Sequence, residues 1–219
     1  MNHADLLARI RAQLETGAVW SEPDTIDPHD GLIRAIRASG PERPAFAAAI
    51  VACLASHDLR VRTGAVAALR EVVADLGADE VARVLRDDAS LFRGVRPSWR
   101  IESDDLEHAA AMAVAAGVNA RDTTAIAWLR EVARERPWGG FVLPALARVD
   151  GDWLVAHAAG LVTHAHLGVL AALPPALRAP LIHALAPWPP EQPTVLTRAF
   201  WSRLPADEAE RLRALLWPT

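Results

Sequence analysis

No lysine and no tyrosine occur in this chain of 219 residues, and cysteine occurs once, at Cys53. A single cysteine cannot close an internal disulfide or supply a thiolate zinc site. All 23 basic residues are therefore arginine, set against 27 acids for a net charge of −4. That balance argues against the broad basic surface that non-specific nucleic-acid binding needs, and leaves room for a local basic patch. The lysine-free composition is accounted for by GC-rich coding or by use of the guanidinium fork for anions. The start, Met1-Asn2-His3-Ala4-Asp5, has neither a basic stretch nor an apolar run, so a cytoplasmic protein is expected. There is no nucleophile elbow, P-loop, H-E-x-x-H or Gly-rich dinucleotide fingerprint. The reading leans away from an enzyme, and no cofactor is implied.

What is present is alanine. It fills 45 positions, about one residue in five, and it is the strongest intrinsic helix former. Apolar residues recur at helical spacing almost throughout. They predict helices at about 4–16, 30–38, 41–57, 58–76, 79–88, 104–117, 122–136, 140–149, 152–162, 165–173, 175–186, 193–203 and 206–216. The class is all-α. Short connections predict antiparallel neighbours, and the spacing of pairs suits a solenoid. One helical-repeat domain over 1–219 is expected, with 89–103 as a possible joint between halves.

The clearest pair lies at 41–77. Phe46, Ile50 and Leu54 mark the first helix. Val61, Ala65, Ala68, Leu69, Val72, Val73 and Leu76 make one apolar stripe on the second. Asp58 is placed to cap that second helix and Gly77 to end it. Asp58 followed by Val61-Arg62, Ala65 and Ala68-Leu69 resembles the second half of a HEAT repeat. The resemblance covers 41–77 and implies a HEAT-like α-solenoid, an α–α superhelix of antiparallel pairs. It also implies that Asp58 and Arg62 bridge neighbouring repeats.

Three stretches stand out for function. The segment 91–100 carries Arg93, Arg96, Trp99 and Arg100 with no acid between Asp88 and Glu102. Guanidinium forks beside an indole suit a phosphate, a carboxylate or a stacked ring, and flanking acids would equally neutralise them. Residues 154–190 hold one formal charge, Arg178, in 37 positions. Gly160, Gly168 and Pro174-Pro175 break this run, which argues against a membrane span. It is expected either in the core or at an interface, including self-association. His157, His164 and His166 are metal candidates by proximity, but His164 and His166 point about 200° apart on a continuous helix. The acidic stretch around His29 (Glu22, Asp24, Asp27, Asp30) matches no EF-hand spacing.

The expected function is that of a bacterial, non-enzymatic adaptor or scaffold binding a protein partner. Arg93, Arg96, Trp99 and Arg100 are its anchors, because Arg and Trp join large contact area to directed hydrogen bonds. One rival is a DNA-binding protein, since some HEAT-like folds resemble alkylpurine DNA glycosylases, which use Trp, Arg and an Asp; Trp99, Asp104, Asp105 and Trp128 are the residues concerned. The other rival is a metal-dependent enzyme built on the histidines.

Overall fold

The computed structural model describes residues 3–16, 20, 30–87, 103–164, 166–191 and 195–217. Among them every regular element is helical. The chain divides into two compact units, Met1–Trp128 and Leu129–Thr219. The expected joint at 89–103 lies, up to residue 102, outside the described residues.

The first unit holds α1 (His3–Thr16), α2 (Asp30–Ala38), α3 (Arg43–Leu54), α4 (Leu59–Leu76), α5 (Ala78–Asp87), α6 (Ser103–Gly117) and the start of α7 (Thr123–Glu135). α4 is its centre, packing against α1, α2, α3, α5 and α6. The sequence explains this. Val61, Ala65, Ala68, Leu69, Val72 and Val73 are all buried, so the stripe read from spacing is the face used. α3 meets it with Phe46, Ala47, Ala49, Ile50, Cys53 and Leu54, all buried. Small residues let the backbones approach. At Gly117 an added Cβ would collide with Val73, so the end of α6 tolerates no side chain there.

Both ends of α4 are fixed as the residues predict. An Asp58 carboxylate oxygen accepts from the Arg60 N–H at 2.7 Å. Gly77, at φ +84°, turns the chain out while its N–H donates to the Val73 carbonyl at 2.8 Å. Arg62 differs from the expectation. It is 6% exposed, and its Nη1 donates to the Ser56 carbonyl at 2.6 Å. The Asp–Arg pair thus fastens the turn between α3 and α4, because both side chains find backbone partners within six residues.

A longer-range cap joins α5 to α7. The Asp79 carboxylate accepts from the N–H of Thr124, and from that of Ala125 at 3.2 Å. Arg37 forks onto Glu71 at 2.7 and 2.9 Å, and Arg43 holds Asp75 at 2.7 Å. The Cys53 thiol is pushed up to about 11 by burial, with Arg11 opposing, so it is not a reactive thiolate.

The second unit continues α7 and adds α8 (Leu143–Val149), α9 (Gly151–Ala156), α10 (Ala158–Leu161), α11 (Leu167–Ala172), α12 (Pro175–Ala184), α13 (Val195–Trp201) and α14 (Ala206–Leu216). α8 packs on α9 and α11, and α12 packs on α9, α10 and α14. Leu143, Leu146, Leu154, Leu170, Leu173 and Leu181 are buried here. The helix expected over 152–162 is two helices, broken at His157. There the ring Nδ1 bonds the Trp153 carbonyl at 2.8 Å, and the residue leaves helical geometry at φ −112° and ψ 10°. No helix among the described residues is long and apolar enough to cross a membrane.

Two outcomes test these fastenings. Asp79→Ala lowers stability by about 1 kcal/mol, and Asp79→Asn, which keeps an acceptor, lowers it less. Burial acts to raise the Asp79 pKa, but the Thr124 and Ala125 bonds outweigh it, so the carboxyl titrates below its ordinary value. Its contribution is therefore full above the unfolded Asp value of about 3.9 and fades as pH falls through the lower folded value. Urea melts at neutral and acid pH should show the wild-type-to-Ala gap closing on acidification. Arg62→Ala costs about 1–3 kcal/mol by freeing the Ser56 carbonyl and emptying a buried site; an unchanged melt would remove Arg62 from the fold's supports.

Candidate functional site

The sequence-predicted anchors Arg93, Arg96, Trp99 and Arg100 lie outside the described residues, as does most of the acidic stretch. Asp104 and Asp105 fall in the first turn of α6, and Trp128 is 5% exposed within the core.

The histidine candidates are described, and each is engaged separately. His157 stacks on Trp153 at 4.6 Å. Its Nδ1 faces a carbonyl, which can only accept, so Nδ1 carries the proton of that contact. His164 bonds the Leu185 carbonyl through Nε2 at 3.0 Å, and the same logic puts its proton there. His166 is reversed: its Nδ1 accepts from the Thr163 N–H at 3.1 Å. Its Nε2 lies 2.7 Å from where a Cβ on Gly140 would be, too close for a side chain there. The three rings thus serve α9, the end of α12 and the entry to α11. Among the described residues no three His, Cys, Asp or Glu side chains group to hold a metal ion.

The structure brings together a cluster that spacing did not reveal. Arg130 and Arg134, one turn apart on α7, lie 5.1 and 5.0 Å from the Trp153 ring centroid. Arg130 is also paired with Asp150 at 2.6 Å. Asp150 immediately precedes α9, which carries Trp153, so one arginine ties both the start of α9 and its indole. With His157, the residue after α9, stacked on the same ring, Arg130, Arg134, Trp153 and His157 form one layered group. Asp150 neutralises Arg130, whereas Arg134 has no carboxylate partner among the described residues. The i,i+4 arginines were visible in the sequence; their meeting with Trp153 is long-range and was not.

The charge-poor stretch resolves into a definite surface. Leu154, Ala158, Val162, Val169, Leu170, Leu173, Leu181 and Ile182 are buried. Ala156, Ala159, Gly160, Gly168, Ala171 and Ala184 are exposed. Arg178, its one formal charge, has a side chain only 11% exposed and is paired with Glu208 of α14. Its Nε donates to the Leu173 carbonyl at 3.1 Å and its Nη2 to that of Ala171 at 3.4 Å. Burial, and then Arg211, lower its guanidinium from the ordinary value. The surface that α9–α12 present is therefore formally neutral apart from Asp152.

No protein-family model, curated protein or solved structure matches the chain. Among the described residues every regular element is helical, and the stretch 154–190 of the second unit carries a single formal charge.

The layered group makes its own prediction. A double-mutant cycle with Arg134→Met and Trp153→Leu should give a coupling of about 0.5–1 kcal/mol in chemical melts, the size of an exposed cation–π contact. Additive losses would show that the arginine lies over the indole without stabilising it.

Proposed function

We propose that this protein is a HEAT-like helical scaffold, built of antiparallel pairs, that works by binding another protein rather than by catalysis. One observation carries the reading: the only formal charge of residues 154–190 is turned inward onto Glu208, leaving small apolar residues outward. A neutral surface cannot neutralise phosphates, which is how proteins hold nucleic-acid backbones. Exposed Ala and Gly on helices instead allow close approach of an apolar partner face. In this reading the anchors Arg93, Arg96, Trp99 and Arg100 supply a second, directional contact. Placement in the cytoplasm belongs to the same proposal. The glycosylase-like alternative gains nothing from Trp128, which is in the core and out of reach of a ligand.

The test is affinity capture from host lysate, with and without nuclease, using three forms of the full chain. Wild type should retain a protein that survives nuclease. Ala159→Glu with Ala171→Glu should lose it while melting within a few degrees of wild type. Trp99→Ala with Arg96→Ala should also lose it, with no fall in melting temperature. Recovery of nucleic acid alone, or undiminished capture by both double variants, would overturn the proposal.

A further inference from the structure

The connection leaving α12 reads Pro187-Trp188-Pro189-Pro190-Glu191. Proline has a fixed φ and no N–H, so three of these five residues offer carbonyls and ring faces but no backbone donor. Aromatic-lined grooves recognise such segments through those two features. α13 and α14 carry groups of that kind. Trp217, just past α14, donates its indole N–H to the Pro189 carbonyl at 2.7 Å. It meets Trp201 of α13 edge-on at 6.3 Å. The Arg213 guanidinium lies 4.6 Å from the centroid of the Trp201 ring and reaches the Glu191 carboxylate at 3.4 Å. The chain's own proline-dense segment is thus held as a peptide ligand would be: an indole on a prolyl carbonyl, an arginine on the acid that follows.

Two observations show that this hold is incomplete. Trp201 is 7% exposed, yet its Nε1 has no hydrogen-bond acceptor among the described residues. A buried indole N–H without a partner is unfavourable, and one more carbonyl would satisfy it. The retained segment is also loosely kept. Pro187, Pro189, Pro190 and Glu191 are exposed, and the Arg213–Glu191 contact is long. Trp188 is fastened elsewhere, donating to the Ile182 carbonyl at 2.9 Å and packing on His164 at 4.7 Å.

We propose that Trp201, Trp217 and Arg213 form a docking site for an extended, proline-containing peptide ending in a carboxylate side chain, and that Pro187–Glu191 occupies it in cis until a partner's peptide replaces it. The site lies on α13 and α14 and does not depend on the neutral face of α9–α12 being an interface.

The experiment is a fluorescence-anisotropy titration of a fluorescein-labelled peptide, Ala-Pro-Trp-Pro-Pro-Glu, with the full chain. Saturable binding is expected, and Pro189→Ala with Glu191→Gln, which weakens the internal competitor, should tighten it severalfold. Added to that loosened variant, where the internal competitor no longer masks the effect, Arg213→Ala and Trp217→Phe should each weaken binding, by up to about tenfold, the size of one lost hydrogen bond or ion pair. Melts of every variant check that the fold persists. Absence of saturable binding to both wild type and the loosened variant would overturn the proposal. So would equal binding of a control peptide with alanine for proline and glutamine for glutamate, or affinities unmoved by Arg213→Ala and Trp217→Phe.

Discussion

A buried alanine methyl removes far less apolar area from water than a leucine side chain does. Helices in which about one residue in five is alanine therefore hold together only where their backbones come close. α4 shows how this is met. Its buried stripe mixes Ala65 and Ala68 with Leu69, Val72 and Val73, and α6 arrives with a glycine against Val73. Close approach raises packing density, so dispersion contacts offset part of the area that small side chains forgo. It also leaves no slack. A misplaced turn would separate the faces, so the turns themselves have to be fixed.

Polar side chains do that fixing, and their partners are mostly backbone atoms at helix ends. Asp58 takes the Arg60 N–H, Arg62 the Ser56 carbonyl, Asp79 the first amides of α7, and Arg178 the last carbonyls of α11. These are the groups a helix cannot satisfy internally. A side chain that satisfies another helix's terminus sets that helix's position along its axis, which apolar packing alone does not. Arg178 does more, since its pairing with Glu208 ties α12 to α14 while turning inward the one charge of a 37-residue stretch. One residue thus serves stability within the unit and the neutrality of its exterior.

The helices were legible because their signals are local. Periodicity placed α1, α2, α12 and α14 nearly to the residue, and Asp58 and Gly77 marked the ends of α4 by the chemistry of caps. What escaped was non-local or competitive. The break at His157, where ring and backbone nitrogens share the Trp153 carbonyl and the residue leaves helical geometry, is not registered by the apolar spacing of 152–162. The Asp79 cap spans 45 residues in sequence, and nothing near Asp79 names Thr124. The meeting of Arg130 and Arg134 with Trp153 likewise depends on how α7 lies against α9. Arg62 was misjudged for a different reason: the repeat resemblance supplied a distant partner, while a carbonyl six residues away was the nearer one.

The tryptophans of the second unit show how such fastening passes into recognition. An indole offers a broad apolar face and a single donor, so its N–H selects one acceptor while the ring tolerates many neighbours. Trp188 directs its donor to the Ile182 carbonyl, and Trp217 directs its donor to the Pro189 carbonyl of the exposed proline-dense connection. Trp201, between them in sequence and in contact with Trp217, has the same donor and no acceptor for it. If burial of aromatic area were the only requirement, phenylalanine would fill that position without leaving a polar atom unpaired. An indole there, beneath a guanidinium that reaches outward to an acid, suits a place where one more carbonyl is to be received.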